Sequence, residues 1–306
     1  MKIFSGSKSK NLAERISEMV DVPLGKIQID RFSDGEILPL FRESVRGEDI
    51  FFISNTSSSD LIMETLLVID AAKRSGCRSF TLVSPYMGYS RQDKSDHLRS
   101  SIGSKVLADI LEKVGMSCII SIDLHASAIQ GFYNVPVIHL NGNKIFIDYI
   151  RLLELDNMCI LSPDQGAVRR ASDFCKSFPD ATFSMINKKR IKPNEIHSME
   201  LVGDVTGKNV IIVDDMADTL GTLKKASELI MENGAISVRA ITTHGILSGN
   251  AIDNLNNSKI SELLISDTIV QEKESNKITV ISCDTMISKS IIAISEKKSI
   301  HEINQI

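Results

Sequence analysis

A short apolar run, two acids and a hydroxyl-rich turn follow one another in the stretch Val210-Ile-Ile-Val-Asp214-Asp215-Met-Ala-Asp218-Thr219-Leu-Gly221-Thr222. The apolar run predicts a buried β-strand, and residues 223–232 have the apolar spacing of a helix. In open α/β sheets, ligands bind at the carboxyl ends of the strands. The turn places backbone N–H groups and threonine hydroxyls at a helix N-terminus, which favours a phosphate. This stretch therefore predicts an α/β fold with a phosphate site.

The two neighbouring acids need a separate explanation, because carboxylates repel a phosphate. We interpret Asp214 and Asp215 as acceptors for the hydroxyl groups of a sugar attached to that phosphate. Helix capping is the alternative interpretation, and it would explain Asp218 but not the adjacent pair.

Strand-like and helical segments alternate along the rest of the chain. The pattern predicts strands over residues 50–54, 80–84, 117–123, 158–161, 210–213, 237–242 and 278–281, and helices over 61–73, 102–114 and 223–232. Gly76, Gly115 and Gly234 stand where those helices should end. The alternation predicts mostly parallel sheets flanked by helices.

An internal repeat suggests two similar α/β domains. Residues 50–84 and 210–242 each predict a strand, a hydroxyl-rich loop, a helix, a glycine and a second strand. Unrelated strand–helix–strand units would also look alike at this level, and that interpretation stays open. We predict domains over residues 1–143 and 144–306.

Composition limits the function classes. The chain has 306 residues, 42% of them hydrophobic and 24% charged, which is typical of a soluble globular protein. The net charge of -4 argues against nonspecific binding of nucleic acid or an anionic membrane. Five scattered cysteines form neither a zinc nor a disulfide pattern, and there is no apolar signal core. We therefore expect a cytoplasmic protein without nucleic-acid or membrane partners.

Two polar segments of the first half could contact a nucleotide. The segment Phe32-Ser-Asp34-Gly35-Glu36 contains an Asp-Gly pair, which is first of all a hairpin-turn signal. The segment Tyr89-Ser-Arg91-Gln92-Asp93-Lys94 contains an arginine that could bind phosphate oxygens. A solvated charged loop would have the same composition.

Further charged residues follow three other predicted strands. Asp123 and His125 are two residues apart, so on a strand they would share a face and could meet a hydrated cation. An isolated Asp-x-His is more often structural. Asp164 lies in Ser-Pro-Asp-Gln-Gly after the strand at 158–161. The run Asn-Lys188-Lys-Arg190 follows a strand over 182–186, and as a plain charge run it would be a solvated hairpin.

Taken in order, these motifs resemble those of the ribose-phosphate diphosphokinase family. The resemblance implies two phosphoribosyltransferase-type domains, an N-terminal one that contacts ATP and a C-terminal one that binds ribose 5-phosphate. It also implies transfer of a diphosphoryl group from Mg-ATP to the anomeric hydroxyl of ribose 5-phosphate, with release of AMP. The family uses Mg²⁺ and commonly forms a homo-oligomer, a hexamer built from dimers.

The resemblance also assigns roles to individual residues. It implies that Lys188 is catalytic and lies in a flexible loop. The residues implied to bind ATP are Phe32, Asp34, Gly35, Glu36, Arg91, Gln92 and Asp93. Those implied to meet Mg²⁺ are His125, Asp164 and Asp123. Those implied to bind ribose 5-phosphate are Arg190, Asp214, Asp215, Asp218, Thr219, Leu220, Gly221 and Thr222, with Leu220 standing where the family motif usually has glycine.

Two alternatives remain. A phosphoribosyltransferase would share the Asp214–Asp215 motif, but it would need neither the segment 32–36 nor the segment 91–94. A noncatalytic regulatory subunit of the synthetase would not need Lys188 or His125.

Overall fold

A computed structural model describes residues 1–95, 98–192 and 195–304; the side chains of residues 189–198, 302 and 304 lie outside this description. The chain divides into two compact units. Among the described residues, the first contains 1–141, 268–270 and 283–304, and the second contains 142–267 and 271–282. The predicted domains 1–143 and 144–306 differ from these units in the C-terminal stretch, and as functional domains they stay a prediction.

The first unit is built on a parallel sheet. Its strands, in spatial order, are β1 (Lys2–Ser5), β4 (Asp49–Ile53), β5 (Ser79–Val83), β6 (Cys118–Ile122) and β7 (Val137–Leu140). A separate antiparallel hairpin consists of β2 (Ile27–Arg31) and β3 (Ile37–Phe41). The helices are α1 (Lys10–Val20), α2 (Ser59–Arg74), α3 (Gly103–Val114), a 3-10 helix (Ser127–Phe132), α8 (Asp284–Ser295) and α9 (His301–Asn304).

The second unit has a larger, mixed sheet. Its strands, in spatial order, are β10 (Glu195–Val202), β9 (Thr182–Lys192), β8 (Met158–Ser162), β11 (Asn209–Ala217), β12 (Ser237–Gly245), β13 (Ile260–Ser266) and β14 (Ile278–Ile281). Only the pairing of β9 with β10 is antiparallel among the described strands of this sheet. The helices are α4 (Asn143–Leu152), α5 (Val168–Cys175), α6 (Gly221–Glu232) and α7 (Ala251–Asn256).

Apolar residues on alternating faces of the strands build the cores. In β11, Val210 and Ile212 pack into one buried cluster with α6, while Ile211 and Val213 pack into another with α4 and α5. The central strands are therefore covered on both faces, as a parallel sheet requires. In the first unit, Phe52 joins the cluster that contains residues of α2 and α3. The predicted fold class, mostly parallel sheets flanked by helices, is confirmed.

Three strands, β9, β11 and β12, continue well beyond their predicted ends, and β12 extends to Gly245 rather than to residue 242. β11 was expected to end at Val213, but it continues to Ala217 because its pairing with β12 continues as far as Ala217 opposite Gly245. Asp214 and Asp215 therefore lie within the strand. Residues 187–192 continue β9 and pair with β10, so the basic run forms part of an extended antiparallel hairpin.

The C-terminal helix α8 returns to the first unit. It packs on α1, where the Arg15 Nε atom lies 2.9 Å from Asp284 Oδ2. No helix among the described residues combines the length and the apolar character that a membrane crossing would require.

Gly76 ends α2 as predicted, with a φ of 80° that L side chains adopt at a cost. We expect Gly76→Ala to lower the free energy of unfolding by about 1–2 kcal/mol, the usual cost of the left-handed conformation. Urea unfolding measures this. The matched control is Gly131→Ala in the 3-10 helix, where an added Cβ would meet no heavy atom within 4 Å. Equal losses in the two variants would contradict the expectation.

Candidate active site

The turn at residues 32–36 joins β2 to β3, which confirms the hairpin signal. The Phe32 N–H donates to Glu36 O at 2.9 Å, and the Gly35 N–H donates to Phe32 O at 2.9 Å. Asp34 Oδ1 accepts from the Glu36 N–H at 3.1 Å. This network leaves the Phe32 ring 53% exposed, so the ring is available to stack on a planar ligand.

Arg31, which the sequence analysis missed, attaches this turn to α2. Its Nη1 donates to Gly35 O at 3.1 Å and to Asp60 Oδ1 at 3.1 Å, and its Nη2 pairs with the other carboxylate oxygen of Asp60. The interaction is a fork onto a carboxylate, which fixes orientation as well as distance. It connects the turn that carries Phe32 to α2.

A polar cavity of about 250 Å³ lies in the first unit. It is lined by Thr56, Ser57, Ser58, Ser59, Tyr86, Gly88, Tyr89, Arg91 and Gln92. The Ser58 side chain caps α2 by accepting from the Leu61 N–H at 3.2 Å. Hydroxyls, a helix N-terminus and a guanidinium together suit an anionic group. Arg91 and Gln92 thus share one cavity, and Asp93 follows them half-buried.

Asp123 and His125 follow the end of β6, and the strand-alternation argument does not apply to them. β6 ends at Ile122, and Asp123 has a φ of 43°. Asp123 is buried, whereas His125 is exposed. The turn is fixed by β7, because His139 Nε2 accepts from the Leu124 N–H at 2.9 Å and Leu140 O accepts from the Asp123 N–H at 3.0 Å. His139 is a second site residue that no sequence motif marks.

Asp164 and Lys188, two of the predicted site residues of the second unit, are in direct contact. Lys188 Nζ lies 2.9 Å from Asp164 Oδ2, and the lysine side chain is only 6% exposed. The other carboxylate oxygen, Oδ1, accepts from the N–H groups of Gly166 at 3.0 Å and Ala167 at 3.2 Å. Lys188 is neither exposed nor in a loop, because it pairs with β10 in a strand and with Asp164. The flexibility implied by the resemblance stays a prediction. Arg190 also lies in β9, but its side chain is outside the described part of the chain.

Asp214 and Asp215 are consecutive residues of β11, and their carboxyl groups are close enough to interact. Asp215 is 7% exposed, and its N–H donates to Asp214 Oδ1 at 2.9 Å. Burial, followed by repulsion from Asp215 and Asp164, raises the pKa of Asp214 well above its ordinary value. A partner that brings donors or positive charge to Asp214 would relieve this cost.

The loop Asp218–Thr222, here called the phosphate loop, leads into α6. Leu220 occupies the N-cap position with a φ of 61°, and its side chain is buried. A leucine side chain cannot accept hydrogen bonds, so it does not cap the N–H groups of the first helical turn, which can serve another acceptor. A phosphate at this position would also be favoured by the helix dipole.

The carboxylates of the second unit suit a magnesium ion bound in part through water. Within the described residues, no three Asp, Glu, His or Cys side chains come together as a complete metal site. Mg²⁺ usually takes one or two carboxylates and keeps several waters or substrate oxygens. Burial, and then repulsion from Asp215 and Asp164, raises the pKa of Asp214, and a nearby cation would relieve this cost. The donor set therefore fits.

Comparison with known proteins gives matches over nearly the whole chain. Residues 1–115 match the family model described as the N-terminal domain of ribose phosphate pyrophosphokinase, and residues 158–304 match the phosphoribosyl synthetase-associated domain. The chain is 41% identical to a ribose-phosphate pyrophosphokinase of Porphyromonas gingivalis over 300 residues, covering 97% of this chain and 96% of that protein. It is 41% identical to one of Bacillus cereus over 304 residues, covering 98% and 96%.

A solved structure agrees with these matches. The phosphoribosylpyrophosphate synthetase of Mycobacterium smegmatis is similar to this chain with a TM-score of 0.89 and 34% sequence identity, over 97% of this chain and 99% of that one. The resemblance inferred from the motifs is confirmed.

Proposed function

Because the chain belongs to the ribose-phosphate pyrophosphokinase family, we propose that it transfers the diphosphoryl group of Mg-ATP to ribose 5-phosphate. The acceptor is the anomeric hydroxyl, and the products are 5-phosphoribosyl 1-diphosphate and AMP, for nucleotide biosynthesis. The contact that most supports this proposal is the Lys188–Asp164 pair, because it puts a buried cation in the unit that carries the Asp214–Asp215 motif.

The second unit would bind the sugar phosphate. Asp214 and Asp215 would accept hydrogen bonds from the ribose hydroxyls, and the phosphate loop with the first turn of α6 would hold the 5-phosphate. Arg190, whose side chain is not described, would add a positive charge to the same substrate. Donation from sugar hydroxyls would also offset the unfavourable burial that raises the pKa of Asp214.

The first unit would bind ATP through its two nucleotide segments. The exposed ring of Phe32 would stack on the adenine, and Asp34, Gly35 and Glu36 would contact the adenosine moiety. Arg91, Gln92 and Asp93 would meet the polar part of the nucleotide. The cavity that Arg91 and Gln92 line supports this assignment, since hydroxyls and a guanidinium surround it.

The reaction requires positioning and charge neutralisation rather than a covalent intermediate. The anomeric oxygen forms a bond to the β-phosphorus of ATP and loses its proton to solvent water, while the bond from that phosphorus to the α–β bridging oxygen breaks and AMP leaves with that oxygen. Lys188 would stabilise the charge that develops on the nonbridging oxygens. Its pairing with Asp164 keeps the ammonium group oriented before substrates bind.

We propose that Asp123 and His125 in the first unit, and Asp164 in the second unit, each meet Mg²⁺ mainly through the waters of the ion. When bound, the ion would neutralise the phosphate charge of ATP. We also propose that the protein acts in the cytoplasm as a homo-oligomer, a hexamer built from dimers, without nucleic-acid or membrane partners. The net charge of -4 supports the lack of a nucleic-acid partner.

The proposed function predicts AMP formation from ATP that depends on ribose 5-phosphate. A coupled assay for AMP with Mg²⁺ present, supported by detection of 5-phosphoribosyl 1-diphosphate, measures it. Ribose without the 5-phosphate is the control substrate, and it should give little AMP because the phosphate loop would be left empty. Formation of ADP in place of AMP would overturn the proposal.

The same assay separates the two alternatives. A phosphoribosyltransferase would consume 5-phosphoribosyl 1-diphosphate together with a base and release diphosphate, without any need for ATP. A regulatory subunit would show no turnover with either pair of substrates.

A further inference from the structure

We propose that the segment following β12 is a support for the phosphate loop, and that Ser248 and Asn254 are positioning residues for ribose 5-phosphate. The support consists of residues 246–249 and helix α7 (Ala251–Asn256). This inference rests on the proposed function, because it assigns the ligand of the phosphate loop from it. Neither residue was expected from the sequence.

Backbone hydrogen bonds fix the support to the base of the phosphate loop. Ala217 O accepts from the N–H of Ile246 at 2.8 Å and from the N–H of Leu247 at 3.0 Å. Ala217 is the last residue of β11 and directly precedes the phosphate loop. The two segments therefore leave the sheet as a bonded pair.

Ser248 orients the carboxylate of Asp218, the acidic residue of the phosphate loop. Its Oγ donates to Asp218 Oδ1. A carboxylate that turned toward a bound phosphate would repel it, so the orientation of Asp218 decides whether the loop accepts an anion. The bond from Ser248 holds one carboxylate oxygen on the side of the support.

Asn254 orients the peptide group between Thr219 and Leu220 in the same loop. Its Nδ2 donates to Thr219 O at 2.9 Å. The Thr219 carbonyl and the Leu220 N–H belong to one planar trans peptide group, so they point in opposite directions. A carbonyl held by Asn254 thereby directs the Leu220 N–H away from the support.

Apolar packing against α7 also stabilises the conformation of the phosphate loop. Leu220 and Leu247 both have positive φ angles, 61° and 51°, which are unfavourable for leucine. Both side chains are buried in one cluster together with Ala251 and Leu255 of α7. Burial of the two leucines offsets the backbone strain, so the conformation of the phosphate loop depends on the support.

The test compares the variant Ser248→Ala/Asn254→Ala with the wild-type protein. We expect the KM for ribose 5-phosphate to rise about tenfold, the effect of losing about one net hydrogen bond to the loop. The KM for ATP and kcat at saturation should remain close to the wild-type values. Calorimetric titration with ribose 5-phosphate should show a matching loss of affinity.

The matched control is Asn257→Ala. Asn257 Nδ2 donates to Asp253 O at 2.8 Å at the end of α7, so the control removes a similar hydrogen bond that does not touch the phosphate loop. An unchanged affinity for ribose 5-phosphate in the double variant would overturn the inference. Equal losses of affinity for ribose 5-phosphate and for ATP would also overturn it. The same loss of ribose 5-phosphate affinity in Asn257→Ala would do so too. If the wild-type protein formed no product, the proposed function would fail, and the titration would still decide whether the support acts on ribose 5-phosphate binding.

Discussion

Lys188→Met should lower kcat by about 10²–10³, the scale expected when one preorganised electrostatic stabiliser is lost. Methionine keeps the length and the apolar stem of the buried side chain but removes the ammonium group. The KM values for ATP and ribose 5-phosphate should change less than kcat, because the charge that Lys188 would stabilise develops in the transition state. Steady-state rates with each substrate varied in turn measure both effects.

Stability must be measured in parallel, because Lys188 is part of an ion pair. After the substitution, Asp164 still accepts the N–H groups of Gly166 and Ala167, and its side chain is 33% exposed. We therefore expect only a small change in Tm. A loss of kcat that followed a large drop in Tm would point to a structural role for Lys188.

Lys208→Met is the matched control for charge. Lys208 lies just before β11, at the end of the sheet opposite to Asp214, and its Nζ is 3.6 Å from Asp204 Oδ2. Its side chain is 19% exposed, so it too is a largely buried lysine paired with an aspartate. We expect kcat to remain unchanged in this variant. Near-normal turnover in Lys188→Met would refute the catalytic assignment.

Much of the fold could be predicted from the sequence, because burial on both faces of a parallel strand leaves a clear apolar run. Residues 278–281 were predicted as a strand with the same limits that β14 has. The helix at 61–73 was predicted within α2, and Gly76 at its end has the positive φ that favours glycine. These signals are local, so each could be recognised without knowledge of the tertiary structure.

Structure that depends on pairing between distant segments could not be predicted from the sequence. The basic run at 187–192 has the composition of a solvated loop, but the backbone hydrogen bonds to β10 extend β9 through it. The burial of Lys188 follows from that pairing and from Asp164, 24 residues away. Similarly, Ser248 and Asn254 contact the phosphate loop across about 30 residues, and no motif marks them.

Some site residues could be predicted as a motif although their environment could not. The two acids at 214 and 215 were visible as a pair at the end of an apolar run. Their placement within β11 depends on how far β12 continues beside them. The raised pKa of Asp214 follows from that placement. A substitution of this residue should therefore affect both substrate binding and the pH dependence of stability.

Asp214→Asn should raise the KM for ribose 5-phosphate about 10–100-fold, because asparagine cannot become the carboxylate that donation from the ribose hydroxyls would stabilise. A hydrogen bond to a charged group contributes about 1.5–3 kcal/mol. The KM for ATP should change little, since Asp214 is proposed to contact the sugar only. At the same time the variant should be at least as stable as the wild-type protein at neutral pH. The raised pKa means that the folded protein favours the neutral carboxyl, so wild-type stability falls as the pH rises through the range between the ordinary and the raised pKa. Asparagine resembles the neutral form and avoids that loss.

Asp204→Asn is the control, and the expected change in stability has the opposite sign. Hydrogen bonds from Thr206 lower the pKa of Asp204, so its ionised form favours folding above the ordinary aspartate range. This variant should lose stability at neutral pH while the KM for ribose 5-phosphate stays unchanged. Thermal unfolding at several pH values, together with the two KM values, gives the comparison. An equal rise in both KM values for Asp214→Asn would show that Asp214 has a structural or metal-binding role, and the sugar assignment would then be wrong.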